Sequence, residues 1–145
     1  MSAKKVVITG AYGLIANAFF RHLHRQAETY EVYGLARRRH PSERAPESIE
    51  EIPEDRFYLA DLTDLNALKN AFEGADTIVQ LAADPRPDAS WESLLDRNIV
   101  GVRNVFEAAH QCGVRRVVLA SSIMVSWGYQ QDEPYKAISE GRFAE

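Results

Sequence analysis

The hydrophobic and polar positions of this chain follow two different periods in turn. Five short segments are rich in apolar and β-branched residues, which predicts β-strands over residues 6–9, 31–36, 56–60, 76–81 and 114–120. Between them lie longer stretches whose apolar residues recur every three or four positions, which predicts helices over residues 13–26, 65–72 and 91–111. The chain therefore alternates strands with helices.

Apolar faces and end signals support the predicted helices. The first helix carries an apolar face formed by Ile15, Phe19 and Leu23. In the long third helix the same period is held by Leu94, Leu95, Ile99, Val102, Phe106 and Ala109. Ser90 and Asp88 are alternative caps for its start, while Gly74 and Gly113 follow the second and third helices as C-terminal glycines commonly do.

Nearly all-apolar strands that alternate with helices indicate a parallel sheet with helices on both faces. The right-handed crossover rule then predicts an α/β doubly wound sheet of about five strands, the Rossmann fold, with ligands at the carboxyl ends of the strands. Residues 1–122 form the predicted domain, and residues 123–145 are predicted as a loop-like tail without a second domain. Residues 37–55 are predicted as a polar loop with a short helical turn around Ser48.

Composition narrows the classes of partner and compartment. The 145 residues are 46% hydrophobic, which suffices for one domain, and the net charge of −4 argues against a nucleic acid or a membrane surface as partner. No apolar run is long enough to span a bilayer, and the N-terminus lacks a signal-peptide pattern. Cys112 is the only cysteine, and His22 and His24 point to different sides of a helix, so we expect no metal site. A cytoplasmic domain is the expectation.

The turn after the first strand is the strongest candidate for a binding site. A β-branched run ends at Gly10, and a helical pattern begins within a few residues. Such a turn leaves backbone N–H groups and the positive end of the helix dipole pointing outward, where a nucleotide pyrophosphate commonly binds. Gly10 would serve the sharp turn, Gly13 the close approach of phosphate and Ala16 the close packing of helix on strand.

Arginines follow the second strand at the point where a dinucleotide-binding domain recognises the adenosine ribose. The strand ends in Gly34-Leu35-Ala36 without an acidic residue, and Arg37 and Arg38 come next. A guanidinium matches the geometry of a 2′-phosphate, so the sequence favours NADP(H) over NAD(H). The alternative is a solvated basic turn.

The carboxyl ends of the other strands carry further candidates. After the third strand, Asp61 and Leu62 are placed to hold adenine, although Asp61 is alternatively a helix cap. After the fourth, small apolar residues would let a cofactor lie along the backbone, although such residues are common at strand ends: Leu81, Ala82 and Ala83. After the fifth, Ala120 is followed by the hydroxyls of Ser121 and Ser122, which are either site residues or turn formers.

Taken in order, these motifs closely resemble those of the extended short-chain dehydrogenase/reductases, the NAD(P)-dependent sugar epimerase/dehydratase family. Residues 91–122 look most like its uronate-dehydrogenase-like members, and the resemblance covers residues 4–128. It rests on the segments Thr9-Gly10-Ala11-Tyr12-Gly13-Leu14-Ile15-Ala16, Asp61-Leu62, Leu81-Ala82-Ala83, Asn98 with Gly101 and Asn104, and Leu119-Ala120-Ser121-Ser122.

The resemblance implies a role for each motif. The turn would bind pyrophosphate, with Gly10, Tyr12, Gly13, Leu14 and Ile15 as the contacting residues. Asp61 and Leu62 would flank adenine, and residues 81–83 would line the ribose side. Asn98 would lie in the long helix near the cofactor, and residues 120–121 would contact it. Ser122 matches the catalytic serine that hydrogen-bonds the substrate oxygen.

Two departures from the family pattern affect what the chain is expected to do. Ala16 replaces a glycine, which helix packing tolerates. The family's catalytic Tyr-x-x-x-Lys is absent, because Tyr129 is followed four residues later by Glu133 and Tyr135 by Ser139. In the family, the lysine lowers the pKa of the tyrosine for proton transfer. Residues 123–145 read as the loop before that helix, so we expect a chain truncated before the family's later strands.

Three functions follow as hypotheses. The first is the NAD(P)-binding part of an oxidoreductase or epimerase/dehydratase acting on a sugar-like hydroxyl or carbonyl, poorly active as given because the Tyr-x-x-x-Lys pair is absent. The alternative is a non-catalytic nucleotide-binding or redox-sensing module. The third is a fragment that associates with another chain, since this family dimerises through the long helix and the apolar residues of its segment 91–111 would need a cover.

Overall fold

A computed structural model describes residues 2–41, 49–122, 131–133, 136–137 and 140–141 of the chain. These residues form a parallel sheet in the order β3-β2-β1-β4-β5. Its strands are β1 Lys4–Thr9, β2 Tyr30–Ala36, β3 Phe57–Leu59, β4 Thr77–Gln80 and β5 Arg116–Leu119. The predicted five-stranded Rossmann fold is confirmed.

The helices alternate with these strands. A 3₁₀ turn at Glu54–Arg56 precedes β3, so Arg56 lies outside the strand that the sequence predicted from it. The longer elements are α1 Leu14–His24, α2 Leu65–Phe72, α3 Trp91–Leu94, a π-helical turn at Leu95–Val100 and α4 Gly101–Gln111. Gly74 and Gly113 end α2 and α4 with φ of +69° and +66°, as predicted.

The centre of the sheet is the point where the strand order reverses. β1 pairs with β2 through Val6 opposite Val32 and with β4 through Val6 opposite Thr77. From β1 the chain adds β2 and then β3 on one flank of β1. After β3 it crosses back and adds β4 and then β5 on the other flank. In doubly wound folds, such a reversal opens a crevice at the carboxyl ends of the two central strands.

Helices cover both faces of the sheet and create two cores. On one face, α2 and α4 pack against the sheet and bury Val7, Phe72 and Val105. On the other face, α1 packs against the sheet and buries Ile8 and Phe20. Successive residues of β1 therefore point to opposite cores, which explains why its sequence is a continuous apolar run.

The first helix turns a different face to the sheet than its sequence pattern predicted. Ile15 and Phe19 are 63% and 43% exposed, whereas Ala16 and Phe20 are buried. Leu23 is partly buried against the same core, as predicted. Ala16 lets the helix approach the sheet closely, and this close approach selects the stripe that contains Ala16.

The predicted long helix is interrupted. Residues 95–100 form a π-helical turn between α3 and α4, and this turn changes the phase of the apolar stripe. Of the apolar positions that hold the predicted period, Ile99 and Phe106 are 51% and 44% exposed, while Ala109 is buried. Ser90 caps α3 by accepting a hydrogen bond from the backbone N–H of Ser93.

Some sequence predictions fall outside the described residues. These are the helical turn around Ser48 and most of the loop-like tail over 123–145, including Tyr129 and Tyr135. In the part of the chain that the structure does describe, none of the helices has the length and apolar character needed to cross a bilayer. The same residues contain no cluster of three or more side chains suited to a metal ion.

Candidate functional site

The turn between β1 and α1 presents an uncapped helix N-terminus at the carboxyl edge of the sheet. Gly10 has φ of +68°, a conformation that glycine adopts without strain. The backbone N–H of Gly13 donates to the carbonyl of Gly10 at 2.7 Å, and Gly13 is the N-cap residue of α1. Gly13 has no side chain with which to cap this helix, so the first N–H groups of the helix and its dipole favour an anion.

The same turn packs tightly against the end of β4. A Cβ atom at Gly10 would lie 2.9 Å from Cα of Ala82, and a Cβ at Gly13 would lie 3.0 Å from the carbonyl oxygen of Gly10. The two glycines therefore keep the turn compact and leave its outer surface open to a ligand. This confirms the sharp turn predicted at Gly10, and Ala16 lies buried below it.

A buried polar network fixes this packing. The hydroxyl of Thr9 donates to Oε1 of Gln80 at 2.6 Å and accepts hydrogen bonds from the backbone N–H groups of Leu81 and Ala82, both at 3.1 Å. Gln80 completes the network by donating from Nε2 to the carbonyl of Ala82 at 2.7 Å. The side chains of Thr9 and Gln80 thereby hold residues 81–82 against the glycine turn. Neither role is predictable from the sequence, because neither residue type marks such a network.

The remaining residues of the turn differ in exposure. Tyr12 is buried, accepts a hydrogen bond from the backbone N–H of Ile52 at 3.4 Å and packs edge-on against Phe57. Its side chain therefore belongs to the core below the turn. Leu14 and Ile15 are 52% and 63% exposed at the start of α1, so their side chains border the outer surface of the turn.

The arginines after β2 divide between two environments. Arg37 after β2 and Asp61 after β3 meet at the carboxyl edge of the sheet, in a region called the rim below. Nε of Arg37 lies 3.9 Å from Oδ2 of Asp61, and both side chains are about half exposed. Arg38 is exposed. Arg39 instead donates to the carbonyl of Ile52 at 3.2 Å and packs over the ring of Phe57, so it faces the segment before β3. Arg37 and Asp61 therefore form the polar part of this rim.

Asp61 organises the turn after β3 and does not cap α2. Its Oδ1 accepts hydrogen bonds from the backbone N–H and the hydroxyl of Thr63, both at 2.9 Å. The cap is Asp64, which accepts from the backbone N–H of Ala67 at 3.0 Å, so the alternative of Asp61 as helix cap is wrong. Desolvation acts to raise the pKa of Asp61, but the hydrogen bonds from Thr63 and the charge of Arg37 outweigh it and lower the pKa.

Leu62 lies beside Asp61 but faces inward. It is 7% exposed, and a Cβ atom at Gly101 would lie 2.9 Å from its own Cβ. Asn104 of α4 donates to its carbonyl at 3.0 Å. These contacts place Leu62 in the core below the rim, where it supports Asp61.

The loop after β4 is held by the π-helical turn. Asn98 accepts from the backbone N–H of Asp84 at 2.7 Å and donates to the carbonyl of Asp84 at 3.1 Å. Leu81 packs partly buried against the α1 core, while Ala83 is exposed. Asn98, which the sequence placed near the cofactor, therefore fixes the backbone of the segment that carries Ala82 and Ala83.

Asp84 is a buried carboxylate that the sequence analysis did not single out. Oδ1 accepts from Nε of Arg86 at 2.9 Å, and Oδ2 accepts from Nη2 of Arg86, Oγ of Ser93 and Nη1 of Arg97 at 2.7, 2.6 and 3.0 Å. The hydrogen bonds from Arg86 hold the pKa of Asp84 well below its usual range. The adjacency of Asp84 and Arg86 was visible in sequence, but the contribution of Arg97 was not.

The end of β5 completes the carboxyl edge. The backbone N–H of Ala120 donates to the carbonyl of Gln80 at 3.1 Å, which extends the pairing of β5 with β4 beyond the strand. Ser121 and Ser122 follow it and are exposed. The structure thus brings the segments after β1 and β4 into contact, joins those after β2 and β3 through Arg37 and Asp61, and places Ser122 after the edge strand β5.

Comparison with known proteins agrees with this geometry. The family model of the NAD dependent epimerase/dehydratase family matches residues 6–140. A NAD-dependent glucose-6-phosphate dehydrogenase of Haloferax volcanii is 37% identical over 117 residues, which are 81% of this chain and 42% of the relative. A uronate dehydrogenase of Pseudomonas putida is 30% identical over 129 residues, 89% of this chain and 44% of the relative.

Solved structures show the same relationship. A mutant uronate dehydrogenase from Agrobacterium tumefaciens complexed with NAD superimposes with a TM-score of 0.64 at 30% identity, over 83% of this chain and 42% of that one. MoeE5 in complex with UDP-glucuronic acid and NAD superimposes with a TM-score of 0.66 at 30% identity, over 81% and 36%. The chain thus spans less than half the length of these relatives. With its family model, its parallel sheet and its glycine turn in agreement, the chain belongs to the NAD dependent epimerase/dehydratase family.

Proposed function

We propose that this chain is the dinucleotide-binding part of an NAD(P)-dependent oxidoreductase or epimerase/dehydratase that acts on a hydroxyl or carbonyl of a sugar-like substrate. The proposal rests mainly on the glycine turn. There Gly10 and Gly13 leave the N-terminus of α1 without a side-chain cap, next to Ala82. The relatives include a uronate dehydrogenase complexed with NAD and a protein complexed with UDP-glucuronic acid and NAD, which supports a sugar-like substrate.

The residues at the carboxyl edge fit a nicotinamide dinucleotide. The backbone of residues 10–15 would hold the pyrophosphate, since Gly10 and Gly13 keep the turn compact and place no side chain of their own over it. Asp61, with Leu62 supporting it from the core, would receive the adenine. Residues 81–83 and 120–121 would lie along the ribose and nicotinamide, with Asn98 acting through the backbone of Asp84. The dinucleotide would supply the acceptor or donor of a hydride.

Ser122 would hydrogen-bond the reacting oxygen of the substrate and polarise it. Within the sequence no tyrosine is followed by lysine four residues later, so the paired acid/base of the family has no match here. We therefore assign cofactor binding and substrate polarisation to this chain and expect it to turn over poorly on its own.

For the choice of cofactor, we propose a preference for NADP(H) over NAD(H). Its support is that β2 ends without a carboxylate and that Arg37 and Arg38 follow it at the rim. A guanidinium there would bind a 2′-phosphate, whereas Asp61 beside Arg37 would oppose it electrostatically. The preference is therefore measured as the ratio of the two dissociation constants.

We further propose that residues 1–122 form the binding domain and residues 123–145 its tail, and that two copies associate through the surface of the segment 91–111. The support for association is that Trp91, Ile99 and Phe106 of this segment are 62%, 51% and 44% exposed. Apolar side chains that cluster on one surface favour contact with another protein surface.

A fluorescence titration with NADH and with NADPH tests the proposed function. We expect both to bind, NADPH more tightly, and Gly13→Val to weaken binding about tenfold or more, because the new Cβ would lie 3.0 Å from the carbonyl oxygen of Gly10 and disturb the turn. Ala18→Val is the control, since it places a valine side chain at an exposed position of the helix that follows the turn. Absence of binding to the wild-type chain, or equal loss in both variants, would contradict the proposal.

A further inference from the structure

The loop after β4 carries two guanidinium groups that a single buried carboxylate holds in place. The side chain of Asp84 is 2% exposed, whereas those of Arg86 and Arg97 are 55% and 37% exposed. Both arginines contact Oδ2 of Asp84, at 2.7 and 3.0 Å. The negative charge therefore lies inside the protein and the positive charge faces outward.

The cluster sets two guanidinium groups against one carboxylate. One guanidinium suffices to neutralise one carboxylate, and Arg86 already makes a bidentate pair with Asp84. Arg97 adds a second positive charge, so the three side chains together carry a net charge of one positive unit. In the described residues, the ion pair with Asp84 engages Arg97 through Nη1 only. Its planar group thus retains donor capacity for an anion.

Hydrogen bonds hold the cluster in place beside the proposed cofactor site. Asn98 binds both backbone groups of Asp84, and Ser93 donates to Oδ2 of the same residue at 2.6 Å. Ala82, two residues before Asp84, contacts Gly10 of the glycine turn. Arg97 also lowers the pKa of Asp61 at the rim through its charge, so its positive field extends along this edge. Pre-ordered donors of this kind bind an anion without losing further side-chain entropy.

We propose that Arg86 and Arg97, held by Asp84, form a binding site for the anionic group, carboxylate or phosphate, of a sugar-like substrate. A planar guanidinium fits either group through parallel N–H donors. The assignment rests on the proposed function, because it takes the carboxyl edge to be the place where cofactor and sugar meet. It goes beyond that function by naming an acidic sugar as the substrate class.

Calorimetric titration of the full chain tests the assignment in the presence of saturating NADH. The probes are glucuronate, glucose 6-phosphate and, as the neutral comparison, glucose. We expect at least one anionic sugar to bind about tenfold or more tightly than glucose, and the better of the two identifies the anionic group. Arg97→Gln and Arg86→Gln should each remove most of this advantage. Arg97→Lys, which keeps the charge, should restore part of it.

Arg103→Gln is the control, since Arg103 is an exposed arginine on the adjoining helix α4. It should leave the affinity for both anionic sugars unchanged, and circular dichroism checks that every variant is folded. Equal affinity for glucose and the two acidic sugars, or a loss in Arg103→Gln as large as in Arg97→Gln, would overturn the anion site. NADH affinity is measured separately in the same variants, so failure of cofactor binding counts against the proposed function, and failure of sugar discrimination alone counts against this inference.

Discussion

At the scale of single residues, the carboxylate of Asp84 is 2% exposed and accepts side-chain hydrogen bonds from Arg86, Ser93 and Arg97. The hydrogen bonds of Arg86 lower its pKa in the folded chain. In the unfolded chain the value is about 3.9. Between these two values the unfolded state binds more protons than the folded state, so the stability contributed by Asp84 is present above about pH 4 and is lost as the pH falls below it.

Asp84→Asn tests this linkage. We expect the substitution to lower the free energy of unfolding at neutral pH by about 1–3 kcal/mol, because it removes a buried charge-assisted pair while the two arginines remain partly hydrated. The variant should also lose a part of the wild-type decrease in stability below pH 4. Urea unfolding of both proteins across this pH range measures the difference. Parallel pH profiles would contradict the account of Asp84.

The sequence alone predicts Gly10 but not Asp84 or Gln80, for a physical reason. A glycine that follows a β-branched run and precedes a helical pattern has few other roles, and the structure gives it the positive φ that such a turn requires. Polar residues are different, because their role depends on partners brought together by the fold. Gln80 is paired with Thr9 across β1 and β4, which only the sheet topology makes neighbours. Asp84 is paired with Arg97 across the loop after β4 and the π-helical turn, whose packing the sequence pattern does not specify.

At the scale of elements, periodicity identifies the helices but not the face that they bury. The stripe of α1 through Ile15 and Phe19 is as apolar as the one through Ala16 and Phe20, yet the second is buried. The choice depends on how closely the helix approaches the sheet, which the small Ala16 permits. The π-helical turn at Leu95–Val100 cannot be predicted from periodicity either, because its sequence also suits a continuous α-helix.

The start of α2 gives a test at this scale, because two aspartates have separate roles. Asp64 caps the helix, whereas Asp61 orders the preceding turn at the proposed adenine rim. We expect Asp64→Ala to lower the free energy of unfolding by about 1 kcal/mol and to leave NADH affinity unchanged. Asp61→Ala should weaken NADH binding. Chemical denaturation and fluorescence titration with NADH measure both effects in the two variants. A loss of NADH affinity in Asp64→Ala but not in Asp61→Ala would contradict the roles assigned to the two aspartates.

At the scale of the whole molecule, the alternation of strands and helices was enough to predict the sheet. Because all five strands are parallel, the glycine turn, Asp61, residues 81–84 and Ser122 follow strand ends along one edge of the sheet. This arrangement follows from topology, so motifs far apart in sequence could be assigned to one edge. The contacts among their side chains could not, because they depend on the packing of individual residues.

Association of two copies is a second property of the whole molecule. Ile99 is 51% exposed between Trp91 and Phe106, so we expect a concentration-dependent dimer that Ile99→Asp disrupts by placing a charge on the contact surface. Leu59→Asp is the matched control, since Leu59 is 68% exposed on β3, at the opposite edge of the sheet from β5. Sedimentation velocity at increasing concentration measures the effect. A wild-type chain that stays monomeric, or equal loss of association in both variants, would contradict this expectation.

The central claim is that a nicotinamide dinucleotide binds at the carboxyl edge of the sheet, on the glycine turn. An amide NMR titration of the chain with NADH tests it most directly, because each backbone N–H reports its own surroundings. The account predicts that the largest shifts fall on residues 10–15, with further shifts at Arg37, Asp61 and residues 81–84. Shifts confined to the amino ends of the strands, or no shifts at the glycine turn under saturating NADH, would contradict it.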